Sequence, residues 1–139
     1  MGDCQSIYRD KTILRKETIL VVDDAEAIRK MVCAVLLQHG YGCVEASDGN
    51  EALRMLNDAA VQLVLTDVLM PGMGGAELAS RLAQEQPGMR IMFMSGYSDH
   101  PVVRNVQRAP GLFLAKPFTT GVLMSKIRQV LDQPWKGLK

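Results

Sequence analysis

The stretch "LVLTDVLMPGMGG", residues 63–75, sets one carboxylate, Asp67, among apolar residues and follows it with Pro71, Gly72, Gly74 and Gly75. A charge in such surroundings is costly unless something pairs with it. Other short apolar runs end in groups that could do so: "TILVVDD" in Asp23 and Asp24, "RIMFMSG" in Ser95 and Gly96, "GLFLAKP" in Lys116 and Pro117. Carboxylates brought together repel, and some of their pKa values rise. A hard divalent cation resolves the conflict, because Mg2+ takes oxygen ligands and keeps several waters. Three acids less one ammonium leaves a charge of about minus two, which one Mg2+ offsets. Such a set suits phosphoryl transfer, in which metal and ammonium neutralise the transferring oxygens while a carboxylate attacks phosphorus. Asp67 is the candidate nucleophile, since its loop has the backbone freedom to present it in an exposed position.

The elements that must position these groups alternate in kind. "TILVVDD" reads as a strand at 18–23, and Ile28, Met31, Val32, Val35 and Leu36 repeat at helical spacing until Gly40. "YGCVEAS" is a second strand that ends in nothing reactive, and "DGNEALRMLNDA" a helix with Asp48 as its cap. "VQLVLTD" is the third strand, and "GGAELASRLAQEQ" a helix closed by Pro87-Gly88. "RIMFMSG" is the fourth strand, and "SDHPVVRNVQR" a weak helix with Pro101 in its first turn. "GLFLAKP" is the fifth strand, and "TTGVLMSKIRQVLDQ" a last helix with Leu123, Ile127, Val130 and Leu131 on one face. Strands apolar throughout imply a parallel sheet covered on both sides. In such α/β folds chemistry collects beyond the carboxyl ends of the strands. If strands one and three are neighbours, Asp23, Asp24 and Asp67 converge at the switch point.

The 139 residues suit one domain, drawn at 17–133 between an extension or linker at 1–16 and a short tail at 134–139. A net charge of +1 and 5% aromatic residues give no footing for nucleic acid or a membrane surface. No apolar run approaches the ~20 residues that span a bilayer, so no membrane insertion is expected. Cys4, Cys33 and Cys43 form no CxxC pair and are odd in number, which argues against a disulfide framework or zinc site and for a reducing cytoplasm. His39 and His100 are isolated, and the nine methionines sit mostly at core spacing.

The stretches "ILVVDDAEAIRKMV", "LVLTDVLMPGMGG", "IMFMSGYSD" and "FLAKPF" together resemble a response-regulator receiver domain of two-component signalling. The resemblance covers roughly Thr18 to Gln133. It implies a doubly wound five-stranded parallel sheet, order 2-1-3-4-5, with five helices, which is the flavodoxin-like receiver fold. Asp67 then matches the phosphoacceptor for a phosphohistidine. Asp24 matches a direct Mg2+ ligand, Asp23 the acid that reaches the metal through water, and the Leu69 backbone carbonyl the third protein ligand. Ser95 matches the hydroxyl that moves to the phosphoryl oxygens, and Lys116 the lysine that pairs with phosphate. The Lys116–Pro117 bond matches the family's cis peptide. Phe113 falls at the switch aromatic, with no phenol to hydrogen-bond when it turns inward. The implied partner is a histidine kinase or a histidine phosphotransfer protein. The implied output is a change in the surface of the fourth helix, fifth strand and fifth helix. Self-phosphorylation and autodephosphorylation follow from the same resemblance, without a conventional enzyme activity. The "MSGYSD" wording and the polar lead-in resemble the receivers of hybrid histidine kinases, which pass phosphate on to a histidine phosphotransfer protein.

Taken singly, the same residues have plainer readings. Asp24 alone is a helix cap, Ser95 a strand-end hydroxyl satisfied by backbone, and Lys116 a solvated surface charge. A haloacid-dehalogenase-type hydrolase also forms an aspartyl phosphate. It needs an Asp-x-Asp motif, whereas Asp67 is followed by Val68 and Leu69. A flavin-binding domain of similar topology needs a phosphate loop after strand one, where "DDAEA" would repel phosphate. A binding module that has lost phosphorylation would not need the full set of acids, hydroxyl and lysine.

Overall fold

Both faces of each central strand are apolar because both are covered. The computed structural model describes residues 17–96, 101, 104, 112–135 and 137. In chain order the elements are β1 (Thr18–Val22), α1 (Glu26–Gln38), β2 (Gly42–Ala46), α2 (Gly49–Asp58) and β3 (Leu63–Asp67). They continue as α3 (Gly75–Glu85), β4 (Arg90–Ser95), β5 (Phe113–Ala115) and α4 (Thr120–Asp132). Successive side chains of a strand point to opposite faces. Ile19, Val21, Leu63, Leu65, Met92 and Met94 therefore meet α1 and α4 through Val32, Leu36, Leu123 and Ile127. Leu20, Val22, Val64, Ile91 and Phe93 meet α2 and α3 on the other side, through Ala52, Leu56, Leu78 and Leu82. Each such side chain taken fully out of water contributes roughly 1.5–3 kcal/mol.

The strands lie in the order β2-β1-β3-β4-β5, and every pairing is parallel. β1 and β3 are neighbours, so the condition on which convergence depended is met. Register then aligns the ends that carry chemistry. Val22 pairs with Thr66, one residue before Asp67, and Ser95 pairs with Ala115, one residue before Lys116.

Two helices carry strong side-chain caps. Asp48 accepts from the Glu51 amide at 2.8 Å, and Glu51 accepts in return from the Ser47 amide at 2.7 Å. Thr119 accepts from the Val122 amide at 3.1 Å at the start of α4. The two helices that leave the acid-bearing loops have none. Ala25 and Gly74 occupy the caps of α1 and α3, and neither has a side chain that caps its helix. Asp24 is thus not the cap of α1.

Four described helices flank the sheet, and the last helix read from the sequence is α4. Of the helix expected at 98–108, only Pro101 and Arg104 lie among the described residues, and residues 1–16 lie outside them. Met31, placed on the apolar stripe of α1, is 51% exposed, while Val32, Cys33 and Leu36 are buried. Cys33 takes a core position that Met31 does not, while Ile28 and Val35 of the stripe still pack against the core. The Cys33 sulfur is bonded to that of Cys43 on β2, with Cα atoms 5.7 Å apart. This overturns the expectation of no disulfide. Spacing rules compare cysteines along the chain, and this pair is made by α1 packing back on β2.

Trp135, in the short stretch after α4, packs onto the domain. The Trp135 indole lies against both cores, and its Nε1–H donates to the Pro87 carbonyl at 3.2 Å. Arg90 donates to the carbonyls of Val130 and Gln133 at 3.0 and 2.8 Å, satisfying the end of α4. Among the described residues no helix is long and apolar enough to cross a membrane.

Candidate functional site

Asp23, Asp24 and Asp67 each place a carboxylate oxygen within 4.8 Å of the others. Asp23 and Asp24 continue β1, and Asp67 ends β3 beside it. Lys116 enters from the end of β5. Its ammonium donates to Asp23 Oδ2 at 3.0 Å and to Asp67 Oδ2 at 3.5 Å. The Lys116–Pro117 peptide is cis, and the Lys116 amide donates to the Ser95 carbonyl at 3.0 Å. The ends of β1, β3, β4 and β5 therefore meet at one point.

The acids differ in setting. Asp23 is buried and held on every side. Its amide donates to the Ala46 carbonyl at 3.1 Å, and its Oδ1 accepts from the Ala25 amide at 2.9 Å. Asp24 is exposed. Asp67, expected at an exposed position, is only 8% exposed. Its carboxylate lies beside the Lys116 ammonium and the Asp23 and Asp24 carboxylates. Burial raises its carboxyl pKa above the usual aspartate range. Asp23 and Asp24 push the same way, against the pull of Lys116. A carboxylate raised by burial and like charge gains from a cation more than a solvated one does.

That donor set fits a hard divalent ion. It offers three carboxylate oxygens, one of them on an exposed residue that opens a way in, and one ammonium to offset them. Bound there, Mg2+ would neutralise the acids and the oxygens of an incoming phosphoryl group.

The loop after Asp67 is built by contacts as much as by freedom. Gly72 has φ +73°, a conformation that suits glycine. Gly74 and Gly75 serve differently. A Cβ on Gly74 would lie 2.8 Å from the Val68 carbonyl oxygen, and one on Gly75 would strike the Asp67 carbonyl oxygen. The start of α3 thus presses directly on the backbone of Asp67, and the Gly75 amide donates to the Val68 carbonyl at 2.9 Å. Thr66 adds a hydroxyl bond to the Asp67 carbonyl at 2.9 Å. Leu69 is half-buried against the α2–α3 core.

Ser95 is 2% exposed at the end of β4. Phe113 is buried in the α2–α3 core, and its carbonyl accepts from the Lys126 ammonium at 3.0 Å. Tyr97, in the "MSGYSD" stretch, lies outside the described residues. Sequence reasoning missed Arg29 and Glu45. The Arg29 guanidinium donates to the Asp23 backbone oxygen and to Glu45. The available signal was an arginine in the first turn of α1, just after the acids, and a single charged residue on β2.

Residues 19–128 match the family described as response regulator receiver domain. The chain is 34% identical over 119 residues to the sensor kinase CckA of Brucella abortus, covering 84% of this chain and 13% of that protein. It is 34% identical over 116 residues to the transcriptional regulatory protein GlrR of Escherichia coli, covering 83% of this chain and 26% of that one. Among solved structures, response regulator protein TrrA from Thermotoga maritima, in complex with Mg(2+)-BeF, superposes with a TM-score of 0.74 at 30% identity. That match covers 83% of this chain and 99% of the other. The chain thus spans 13% and 26% of the length of those two curated relatives, and 99% of the solved TrrA chain. Five parallel strands in the order 2-1-3-4-5, three acids and a lysine at their carboxyl ends, and the family match converge on one conclusion: the chain belongs to the response regulator receiver domain family.

Proposed function

We propose that this domain takes a phosphoryl group onto Asp67 from a phosphohistidine of a histidine kinase or histidine phosphotransfer protein. A carboxylate oxygen of Asp67 attacks phosphorus, the P–N bond breaks, and the imidazole leaves and recovers a proton from solvent. Asp24, Asp67 and the Leu69 carbonyl would hold Mg2+, with Asp23 reaching it through water. Lys116 and the Ser95 hydroxyl would take the phosphoryl oxygens. The observation that carries this reading is the cluster itself: three carboxylates within 4.8 Å, with the Lys116 ammonium between Asp23 and Asp67. The phosphoryl group adds charge and acceptor oxygens at the β3–α3 loop. Ser95 closes on it, Phe113 follows on packing alone, and the surface of β5, α4 and the segment before β5 changes. Self-phosphorylation from small donors and autodephosphorylation belong to the same chemistry.

The domain is drawn at 17–133, with Trp135 folding the start of the tail back onto it. We place it in the cytoplasm, where histidine kinases meet ATP, without direct nucleic-acid contact; this rests on the partner and no longer on the cysteines, since Cys33 and Cys43 are bonded. The similarity to CckA, a sensor kinase of which this chain spans 13%, favours a second reading as a relay intermediate within a hybrid kinase. Titration with fluoroberyllate and Mg2+ tests the first reading. A saturable response lost in Asp67→Asn supports it, and no Asp67-dependent response refutes it. Phosphotransfer profiling against histidine kinases and histidine phosphotransfer proteins separates the two readings.

A further inference from the structure

The β1–α1 loop carries two of the three acids; Asp23 Oδ1 ties it locally to the Ala25 amide at 2.9 Å, and Ala25 has no side chain that caps α1. Arg29 holds it from below. Its Nη1–H donates to the Asp23 backbone oxygen at 2.9 Å, and its Nε–H donates to Glu45 Oε1 at 3.1 Å. The pair is well shielded, with side chains 15% and 24% exposed, against 46% and 49% for Arg81–Glu85 on α3. Lys30 occupies the other Glu45 oxygen at 3.1 Å. One turn further along α1, Cys33 is bonded to Cys43, two residues before Glu45 and on the same strand face. The guanidinium therefore runs from a stapled α1–β2 base to the carbonyl that orients the Asp23–Asp24 peptide. A planar fork with fixed, separated donors suits such a bridge better than a compact ammonium.

We infer that Arg29 is a positioning residue for the acidic cluster: by clamping the Asp23 carbonyl to Glu45, it sets where the Asp23 and Asp24 carboxylates point toward a divalent cation. The inference rests on the reading of those acids as a Mg2+ site. It makes a prediction opposite in sign to simple electrostatics. A cation near the cluster repels Mg2+, so removing it as a mere charge tightens binding. Removing it as a strut frees the loop and weakens binding, as loss of outer-shell support does elsewhere.

The test is calorimetric titration of the full chain with Mg2+ alone, for wild type, Arg29→Met, Arg29→Lys and Glu45→Gln. Amide NMR spectra recorded without Mg2+ accompany each. Weakening of about 10-fold or more in Arg29→Met is expected. Arg29→Lys keeps the charge and loses the fork, so it weakens too, and Glu45→Gln falls between. The Asp24 and Ala25 amides should shift or broaden while that of Trp135 stays put. Arg128→Met, which disturbs pairs with Glu17 and Asp132, is the control and leaves Mg2+ affinity unchanged. If Arg29→Met does not fold, Arg29→Lys carries the decision. Unchanged or tighter Mg2+ binding in the folded variants overturns the inference and leaves a salt bridge that serves only the fold. Absence of Mg2+ binding by wild type overturns the site reading and this inference with it.

Discussion

Gly75→Ala adds one methyl group where α3 meets the backbone of Asp67. The new Cβ would strike the Asp67 carbonyl oxygen and lie 3.1 Å from both the Asp67 carbonyl carbon and the Val68 Cα. All three are backbone atoms, so no rotamer change relieves the overlap, and the loop must move. Overpacking of this kind costs about 1–3 kcal/mol. Displacing the 2.9 Å bond from the Gly75 amide to Val68 removes about 1 kcal/mol more. The helix preference of alanine over glycine returns up to about 1 kcal/mol. The net expectation is a loss of about 1–3 kcal/mol in urea unfolding, with the slope unchanged. Because the atoms that must move carry Asp67, the fluoroberyllate response should weaken in the same variant. Gly88→Ala is the companion, since nothing lies within 4 Å of its added Cβ. It should be neutral or stabilise by up to about 1 kcal/mol. A Gly75→Ala protein within about 0.5 kcal/mol of wild type, a surface-substitution effect, would refute the idea that α3 braces the phosphoacceptor backbone.

Asp67→Asn should raise stability at neutral pH without divalent ions. The folded state raises the Asp67 pKa, so the ionised carboxylate weakens the fold. Wild type loses stability as pH rises from the ordinary aspartate range through the raised value. The advantage of the variant in urea melts should therefore be full above that value and vanish toward the ordinary aspartate range. Opening the Cys33–Cys43 bond, with a sequence separation of 10, should cost about 2–3 kcal/mol, read as a lower melting temperature with a phosphine reductant. Alkylation mass spectrometry before and after reduction counts the thiols involved. Trp135→Ala uncovers the edge of both cores and frees the Pro87 carbonyl, for a loss of about 1–3 kcal/mol by urea unfolding.

The acids at the ends of the first and third apolar runs, the hydroxyl after the fourth and the lysine after the fifth are local facts. Apolar strands ending in polar residues declare themselves by composition and period, and Asp48 declares a helix start by its type. The alternation of strand and helix determined the parallel, two-faced sheet in the same way. Tertiary structure decided what depends on which surfaces meet. It placed β1 beside β3, which turned three separate carboxylates into one cluster. It buried Asp67, where the glycines after it suggested exposure, because α3 packs onto the loop through Gly74 and Gly75. It joined Cys33 to Cys43 across α1 and β2, and it set Arg29 between Glu45 and the Asp23 carbonyl. None of these has a spacing rule, since each is a distance across the fold and not along the chain. The chemistry was thus written in residue types at strand ends, and its geometry in the register and packing that bring those ends together.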